Sequence, residues 1–348
     1  RMDASGGYSN GSGCGNEVAT NNTMVRKYVI ESLKHWMKDY HINGFRFDLM
    51  GLHETETMQE IYKELSAIDK NVMVYGEPWT GNGSYPADGC KGAVAVSGAA
   101  GGNGVGAFDD DFRDAIKGAE YGGFQKGQVQ GTNKDSGITA GLVGTSGSNK
   151  RNETGKPGLA LHYVECHDNY TLFDKLAISY LNRTSGSGDL FTQIKAAGLA
   201  EVKKQDMLAA AYVFLSQGTP FINGGQEFLR TKKGDENSYQ SDDSINQINL
   251  GFKTTYSDVY DTYKGLIALR KANPSAFGAN TSAKAETVST GVTKYTTDNF
   301  LVYFNATDAA ADIATAGYTK AVDVSSGAPV DAAVPTSVPA KSFVILKK

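Results

Sequence analysis

The chain has 348 residues, of which 40% are hydrophobic and 21% are charged, with a net charge of −4 and a pI near 5.8. This composition is typical of a globular protein, and the acidic balance argues against a nucleic-acid partner, which would favour a basic patch. No run of 18 apolar residues is present, so we expect no membrane span. The three cysteines have no metal-ligand spacing and are too few for a disulfide scaffold, although a Cys14–Cys90 bridge stays open.

The first third of the chain alternates helix and strand patterns. Residues 1–22 are rich in Gly, Ser and Asn and predict a loop, and Thr23 is expected to cap the helix that follows. The next predicted elements are a strand at 45–49, a helix at about 54–67 and a strand at 72–75. Helix followed by strand, repeated, indicates a parallel α/β sheet.

The Gly- and Ala-rich stretch 81–110 closes in AFDDDFRDAIKG. Its run of Asp favours a helix N-terminus, where negative charge is stabilised. The same run at 109–111 leaves a structural Ca²⁺ ion open, although consecutive Asp residues do not match the alternate spacing of an EF-hand loop. Residues 126–158 predict a long loop insertion.

Further along, the sequence predicts a strand at 161–164, a helix at 205–216, a strand at 219–222 and a helix at 256–272. From about residue 280 short alternating runs predict an antiparallel β-sandwich. Each βα unit of an eight-stranded barrel takes about 30 residues, so the 44 residues before the first candidate strand cannot hold the remaining strands. We therefore expect a loop at 1–22, the C-terminal part of a (β/α)8 TIM barrel at 23–277, about strands 4–8, and a small antiparallel β-sandwich domain at 278–348.

Three carboxylates lie where predicted strands end: Asp48, Glu77 and Asp168. A parallel barrel collects its chemistry at the C-terminal ends of its strands, and two carboxylates at such a rim are what glycoside hydrolysis needs. Each residue also has a structural interpretation. Asp48 would pair with Arg46, Glu77 would be a loop residue before proline, and Asp168 would cap a helix.

The surroundings of the first two carboxylates suggest different roles. Arg46 lies two residues before Asp48, on the same strand face, and a neighbouring guanidinium favours an ionised carboxylate, as a nucleophile requires. An apolar strand and Trp79 would raise the pKa of Glu77, as a general acid requires. On adjacent strands the two carboxyl groups would lie about 5–5.5 Å apart, the spacing of retaining enzymes.

Five segments in this order resemble the conserved regions of the α-amylase superfamily (family 13 glycoside hydrolases), and more narrowly the type I pullulanases. They are GFRFDLMGLHE, YGEPWTG, GAFDDDFRDAIKG, YVECHDNYTLFDKL and QGTPFINGGQEFLRTK, within a resemblance that covers roughly residues 8–275. The resemblance implies Asp48 as nucleophile, Glu77 as general acid/base and Asp168 as transition-state stabiliser.

The same resemblance extends to substrate contacts. It implies that Arg46 orients Asp48 and that His167 binds hydroxyl groups of the sugar at the cleavage point. Asn169 offers a further hydrogen bond to the sugar. Trp79 is either a stacking platform for an acceptor-side glucose or an ordinary core tryptophan.

The implied activity is retaining endo-hydrolysis of α-1,6-glucosidic linkages in pullulan, amylopectin and limit dextrins by double displacement, without a required cofactor. Two alternatives stay open: an α-1,4-acting amylase, neopullulanase or isoamylase of the same superfamily, and a non-catalytic glucan-binding subunit. The polymeric substrate favours an extracellular or cell-surface location, with a cytoplasmic one open.

One departure from the family concerns its first conserved region, an Asp and an Asn-His pair, which this sequence lacks. Those residues bind the same sugar, so the chain alone would lack half of that subsite. We therefore expect activity only with the N-terminal half of the enzyme present as a second chain, which would also cover exposed sheet edges.

Overall fold

A computed structural model describes residues 1–90, 104–120, 123–144 and 157–348. The chain forms two compact units, Arg1–Asp109 with Ser148–Leu161 and Asp110–Gly147 with His162–Lys348. Both units contain helices and strands, in agreement with the predicted α/β class.

The first unit is built on parallel strands. Its helices are α1 (Thr23–Tyr40) and α2 (Thr55–Ser66), and its strands are β1 (Gly44–Phe47), β2 (Met73–Gly76), β3 (Val105–Phe108) and the beginning of β4 (Ala160–His162). The strands pair in the order β1, β2, β3, β4, each parallel to the next. The predicted alternation of helix and strand in a parallel sheet is therefore confirmed.

The start of α1 differs from the prediction by one residue. The Asn22 side chain, not Thr23, caps the helix by accepting a hydrogen bond from the Met24 amide at 3.0 Å. Asn is among the preferred cap residues because its short side chain reaches the free amides of the first turn. Thr23 is the first helical residue.

The core of the first unit lies between α2 and the sheet. Met58, Ile61 and Leu65 of α2 are fully buried and belong to one cluster with Val74 of β2. The predicted loop at 1–22 is held in place by hydrogen bonds, among them one from the Thr20 hydroxyl to Glu54 (2.7 Å). Burial of the Met58, Ile61 and Leu65 side chains stabilises the fold by roughly 1.5–3 kcal/mol each.

The second unit carries most of the helices and the antiparallel strands. Its helices are α3 (Asp110–Lys117), α4 (Asp135–Leu142), α5 (Leu172–Tyr180), α6 (Leu190–Leu215), α7 (Asp243–Asn246), α8 (Phe252–Thr255), α9 (Ser257–Ala272) and α10 (Pro274–Phe277). The short strand β5 (Thr219–Pro220) lies next to β4 in the sheet order. The antiparallel strands are β6 (Lys284–Ser289), β7 (Val292–Thr297), β8 (Phe300–Asn305), β9 (Ala311–Asp312), β10 (Lys320–Asp323), β11 (Val330–Ala332), β12 (Ser337–Val338) and β13 (Ser342–Lys347).

The C-terminal strands form antiparallel sheets. Six of them are ordered β11-β10-β13-β8-β7-β6, and β12 pairs with β9 in a second, two-stranded sheet. The six-stranded sheet packs against α6, where Tyr212 stacks on Phe304 with ring centroids 4.5 Å apart. Such a pair stabilises the fold by about 0.5–1.5 kcal/mol beyond its area burial.

Two predictions in this unit were wrong in extent. Residues 135–142 are helical, although 126–158 was predicted as loop, and α6 begins at Leu190 instead of residue 205. The region 145–156 lies outside the described residues, as do residues 91–103 of the Gly- and Ala-rich stretch. The helix predicted at AFDDDFRDAIKG begins at Asp110, as its Asp run indicated.

The described cysteines form no disulfide. Cys14 is exposed, Cys90 is buried and Cys166 is half-buried, and all three are free thiols, so the Cys14–Cys90 bridge is absent. Within the same ranges no helix is both long and apolar enough to cross a membrane.

Candidate active site

Asp48 and Glu77 directly follow two adjacent parallel strands of the first unit. Phe47 of β1 and Gly76 of β2 are paired in register, and the Glu77 amide donates a hydrogen bond to the Phe47 carbonyl at 3.1 Å. The two carboxylates therefore occupy equivalent positions just beyond the carboxyl ends of neighbouring strands. This confirms the strand adjacency that the predicted retaining spacing required.

Arg46 connects the two carboxylates. Its guanidinium donates through Nη1 to Asp48 Oδ1 (2.6 Å) and through Nη2 to Glu77 Oε1 (2.7 Å). The guanidinium also lies 5.4 Å from the centroid of the Phe108 ring on β3, an arrangement that supports a cation–π interaction. A planar fork with several donors can hold two carboxylates in fixed directions, which a lysine cannot do.

The two carboxylates differ in their exposure. The Asp48 side chain is 61% exposed, whereas Glu77 is only 6% exposed. The second oxygen of Glu77, Oε2, accepts a hydrogen bond from the Leu49 amide at 2.8 Å. Leu49 can present this amide because the backbone turns sharply after Asp48, with Leu49 in the left-handed region (φ 46°).

The segment after Glu77 lies against the turn after Asp48. The Gly51 amide donates to the carbonyls of Glu77 (3.1 Å) and Trp79 (3.0 Å). A Cβ on Gly51 would lie 2.4 Å from the Trp79 carbonyl oxygen, so only glycine permits this close approach. Trp79 is half-buried, which leaves part of its ring accessible.

His167, Asp168 and Asn169 lie in the second unit, in the segment between β4 and α5. The side chains of His167 and Asp168 are exposed, and His167 Nε2 lies 3.5 Å from Asp168 Oδ1. Asn169 has a left-handed backbone (φ 62°). The helix that follows is capped by Thr171, which accepts a hydrogen bond from the Asp174 amide, so Asp168 is not the helix cap.

A buried carboxylate that the sequence did not single out is Glu165, three positions before Asp168. It is 1% exposed, and its carboxylate accepts hydrogen bonds from the Leu172 amide (2.8 Å) and the Asn223 side chain (3.0 Å). Burial raises the pKa of Glu165 to about 7, against the opposing effect of these two donors. The available signal was a glutamate at the end of an apolar strand, directly before the HDN segment.

The pKa of Glu165 predicts a pH-dependent stability. Because the folded protein binds this proton more tightly than the unfolded chain, the free energy of unfolding should fall as pH rises from about 4.5 to about 7, by about 3 kcal/mol for this group. Glu165→Gln removes the titrating group, so its curve should lack this decrease. Urea unfolding of both proteins between pH 4 and 8 measures the difference, and parallel curves would contradict the prediction.

The described ranges contain no group of three or more His, Cys, Asp and Glu residues that could hold a metal ion. Asp110 and Asp111 stand in the first turn of α3, as the helix interpretation predicted.

Comparison with known proteins identifies relatives along most of the chain. No protein-family model matches it. The chain is 33% identical over 277 residues to a pullulanase of Bacillus subtilis (strain 168), an alignment that covers 79% of this chain and 36% of the relative. It is 27% identical over 310 residues to the isoamylase of Pseudomonas amyloderamosa, covering 77% of this chain and 38% of that enzyme.

Solved structures of pullulanases are also similar to this chain. The pullulanase from Bacillus acidopullulyticus matches all of this chain with a TM-score of 0.85 at 32% identity, using 43% of its own length. A Paenibacillus barengoltzii pullulanase in complex with maltohexaose and α-cyclodextrin matches all of this chain with a TM-score of 0.82 at 31% identity, using 54% of its length.

The parallel α/β fold, the paired carboxylates and these relatives place the chain among the glycoside hydrolases of the α-amylase superfamily. Within that class it belongs to the pullulanase-type debranching enzymes, and it is consistent with the C-terminal portion of a type I pullulanase. The chain spans about a third of the length of the curated pullulanase of B. subtilis.

Proposed function

We propose that this chain carries the nucleophile and the general acid/base of an enzyme that hydrolyses α-1,6-glucosidic linkages in pullulan, amylopectin and limit dextrins with retention of configuration. The observation that carries the proposal is the Arg46 guanidinium, which holds Asp48 and Glu77 together at the ends of adjacent strands. Two carboxylates that share one guanidinium fit the short separation of retaining enzymes better than the wider gap of inverting ones.

The mechanism would be a double displacement. Asp48, the more exposed carboxylate, attacks the anomeric carbon while Glu77 protonates the departing glycosidic oxygen, which gives a glycosyl ester on Asp48 and a free sugar hydroxyl. Glu77, now ionised, then takes a proton from water as that water attacks the anomeric carbon and releases Asp48. No cofactor is needed at either step.

The donors around Glu77 set a condition on the first step. Arg46 and the Leu49 amide both donate to its carboxylate, and such contacts stabilise the ionised form. Glu77 must therefore exchange one of these donors for the substrate oxygen when it acts as an acid. Arg46 would retain its bond to Asp48 and continue to orient the nucleophile.

The remaining residues would bind the sugar at the cleavage point. Asp168 would stabilise the oxocarbenium-like transition state, and His167 and Asn169 would hydrogen-bond to sugar hydroxyls. Trp79 would stack on an acceptor-side glucose through the accessible part of its ring. These assignments rest on the resemblance and on the exposure of the side chains in each unit.

We also propose that the parallel strands are about strands 4–8 of a (β/α)8 barrel followed by a β-sandwich, and that a second chain with the N-terminal half completes the barrel. In the described part of the first unit β1 pairs only with β2, so its other edge is available. Large apolar side chains on α1 support this, because Met24, Tyr28, Trp36 and Tyr40 are all exposed. A polymeric substrate favours an extracellular or cell-surface location for the assembled enzyme.

The exposed apolar side chains on α1 predict an interface. Tyr28→Asp combined with Trp36→Asp should weaken association with the N-terminal half at least about tenfold, because apolar anchors dominate such contacts and a buried unpaired charge opposes them. The matched control is Tyr239→Asp, an equally exposed tyrosine in the second unit. Co-purification with the N-terminal half through a tag on this chain, followed by circular dichroism, measures association and folding separately. Equal recovery of the N-terminal half with the wild type, the double variant and Tyr239→Asp would contradict the interface.

The stereochemistry of the first-formed product tests the proposed mechanism. The assembled enzyme is mixed with an α-1,6-linked dextrin, and proton NMR follows the anomeric signal before mutarotation. An α-anomer that appears first supports double displacement, and a β-anomer contradicts it. Binding of the dextrin without any product would favour the alternative of a glucan-binding subunit.

A further inference from the structure

We propose that Glu165 is a positioning residue for Asp168, acting through the backbone of the loop 166–171 that carries His167, Asp168 and Asn169. The inference rests on the proposed function, because it concerns the presentation of Asp168 to substrate. The resemblance to the α-amylase superfamily implies no role for Glu165.

The Glu165 carboxylate lies between the two ends of the loop. Glu165 directly precedes the loop, and its Oε2 accepts a hydrogen bond from the amide of Leu172, the residue that directly follows the loop (2.8 Å). One side chain thus joins the two ends of a six-residue loop. Leu172 is also the first residue of α5, so the same bond fixes the loop to the helix.

Asn223 connects Glu165 and the loop to a neighbouring segment of the chain. Asn223 Nδ2 donates to Glu165 Oε1 (3.0 Å) and to the Cys166 carbonyl (3.2 Å). The amide therefore holds both the carboxylate and the first residue of the loop. A further bond, from Lys232 Nζ to the His167 carbonyl, is longer at 3.4 Å.

The loop presents exposed side chains, in contrast to the buried Glu165. The side chains of His167 and Asp168 are exposed and contact each other at 3.5 Å, whereas Glu165 is almost fully buried. The buried Glu165 carboxylate accepts a hydrogen bond at each oxygen and so restrains the backbone of the loop. This restraint also limits the positions of the exposed His167 and Asp168 side chains. Misplacement of a reacting group by about 1 Å can lower the rate about 10²-fold.

The surroundings of Glu165 determine whether its ionised or its protonated carboxyl group holds the loop. The charged and titratable groups that interact with it are Lys117, Arg230, Lys232, Asp206 and Tyr263. Both direct partners are donors, so a proton on the carboxyl would face one of them and remove an acceptor. The ionised form is therefore the one that holds the loop, and glutamine at this position resembles the protonated form.

Asp135 provides a matched control in the same unit. It is a buried carboxylate that also accepts from one side-chain amide, Gln128 Nε2 (2.7 Å), and one backbone amide, that of Gly291 (3.2 Å). It joins α4 to the turn before β7 and not to the loop 166–171. Asp135→Asn therefore reproduces the chemical change of Glu165→Gln at a position with no link to Asp168.

The experiment measures two quantities on the assembled enzyme. Hydrogen–deuterium exchange reports the protection of amides in 166–172, and steady-state kinetics on pullulan reports kcat and KM. We expect Glu165→Gln to speed exchange in this segment and to lower kcat about 10- to 100-fold with KM changed less than about threefold, because the loop is displaced and not removed. Asn223→Ala should act in the same direction, and Asp135→Asn should leave both quantities unchanged.

The outcomes separate this inference from the proposed function. Unchanged exchange in both loop variants, or faster exchange with unchanged kcat in an active enzyme, would overturn the positioning role. An effect of equal size in Asp135→Asn would also overturn it, since a general loss of stability would then explain the data. If the wild type releases no sugar, the proposed function fails and the exchange data alone decide whether Glu165 holds the loop. Should Glu165→Gln not fold, Asn223→Ala carries the same test.

Discussion

Asp48→Asn is expected to lower kcat/KM of the assembled enzyme on α-1,6-linked glucan by more than about 10⁴-fold, as the loss of a covalent nucleophile does in other enzymes. The amide has the same shape but cannot form the glycosyl ester. Because the Asp48 side chain is mostly exposed, the free energy of unfolding should change by no more than about 0.5 kcal/mol. Initial rates on pullulan and a urea unfolding curve measure the two effects.

A control for this substitution is Asp323→Asn, which removes a carboxylate from the C-terminal sheet. Its activity should equal that of the wild type. If Asp48→Asn retained more than a few per cent of the activity, Asp48 would not be the nucleophile, and a structural pair with Arg46 would be the better interpretation.

Glu77→Gln is expected to lower kcat about 10²- to 10⁴-fold, the usual contribution of a positioned general acid/base. The protein should remain folded, because glutamine can still accept the hydrogen bond from the Leu49 amide that Glu77 accepts now. Rates on pullulan and on an aryl α-glucoside of a maltosaccharide measure the effect. An aryl leaving group needs little protonation, so the first step should be much less impaired on that substrate.

The comparison of the two substrates distinguishes acid catalysis from a structural role. An equal loss on both substrates would indicate that Glu77 mainly holds Arg46 in place. Substantial residual activity on pullulan would remove Glu77 from the catalytic role.

The position of the carboxylate pair could be predicted from local sequence. Apolar runs ended at Asp48 and Glu77, and the structure places both just beyond paired strand ends, with Arg46 on the same face as Asp48. What sequence could not give was the second contact of Arg46, to Glu77, since that bond depends on the register between β1 and β2. Strand register is set by packing across the sheet and not by either strand alone.

The largest errors in secondary structure arose where tertiary packing overrides propensity. Helix α4 contains Gly137 and Gly141, which indicate a loop by local rules. A Cβ on Gly141 would lie 2.0 Å from the Phe112 ring, and one on Gly137 would lie 2.8 Å from the Ala115 Cβ, so these glycines allow α4 to pack closely on α3. The role of glycine there is visible only once the partner helix is known.

Glu165 was missed for a related reason. In sequence it is one charged residue between an apolar strand and the HDN segment, and its partners Leu172 and Asn223 are 7 and 58 positions away. Thr171 was likewise not recognised as the cap of α5, which left Asp168 with a capping interpretation that the structure removes. Long-range hydrogen bonds of single side chains have no periodic signal in a sequence.

Product analysis after incubation with pullulan, with the wild-type assembled enzyme and its Asp48→Asn variant side by side, tests whether the enzyme cleaves α-1,6 linkages with Asp48 as the nucleophile. We expect maltotriose from the wild type and none from Asp48→Asn. A trisaccharide that retains its α-1,6 bond would show cleavage of α-1,4 linkages instead. Maltotriose from both proteins would show that Asp48 is not the nucleophile, and no product from either would contradict the proposed activity on pullulan.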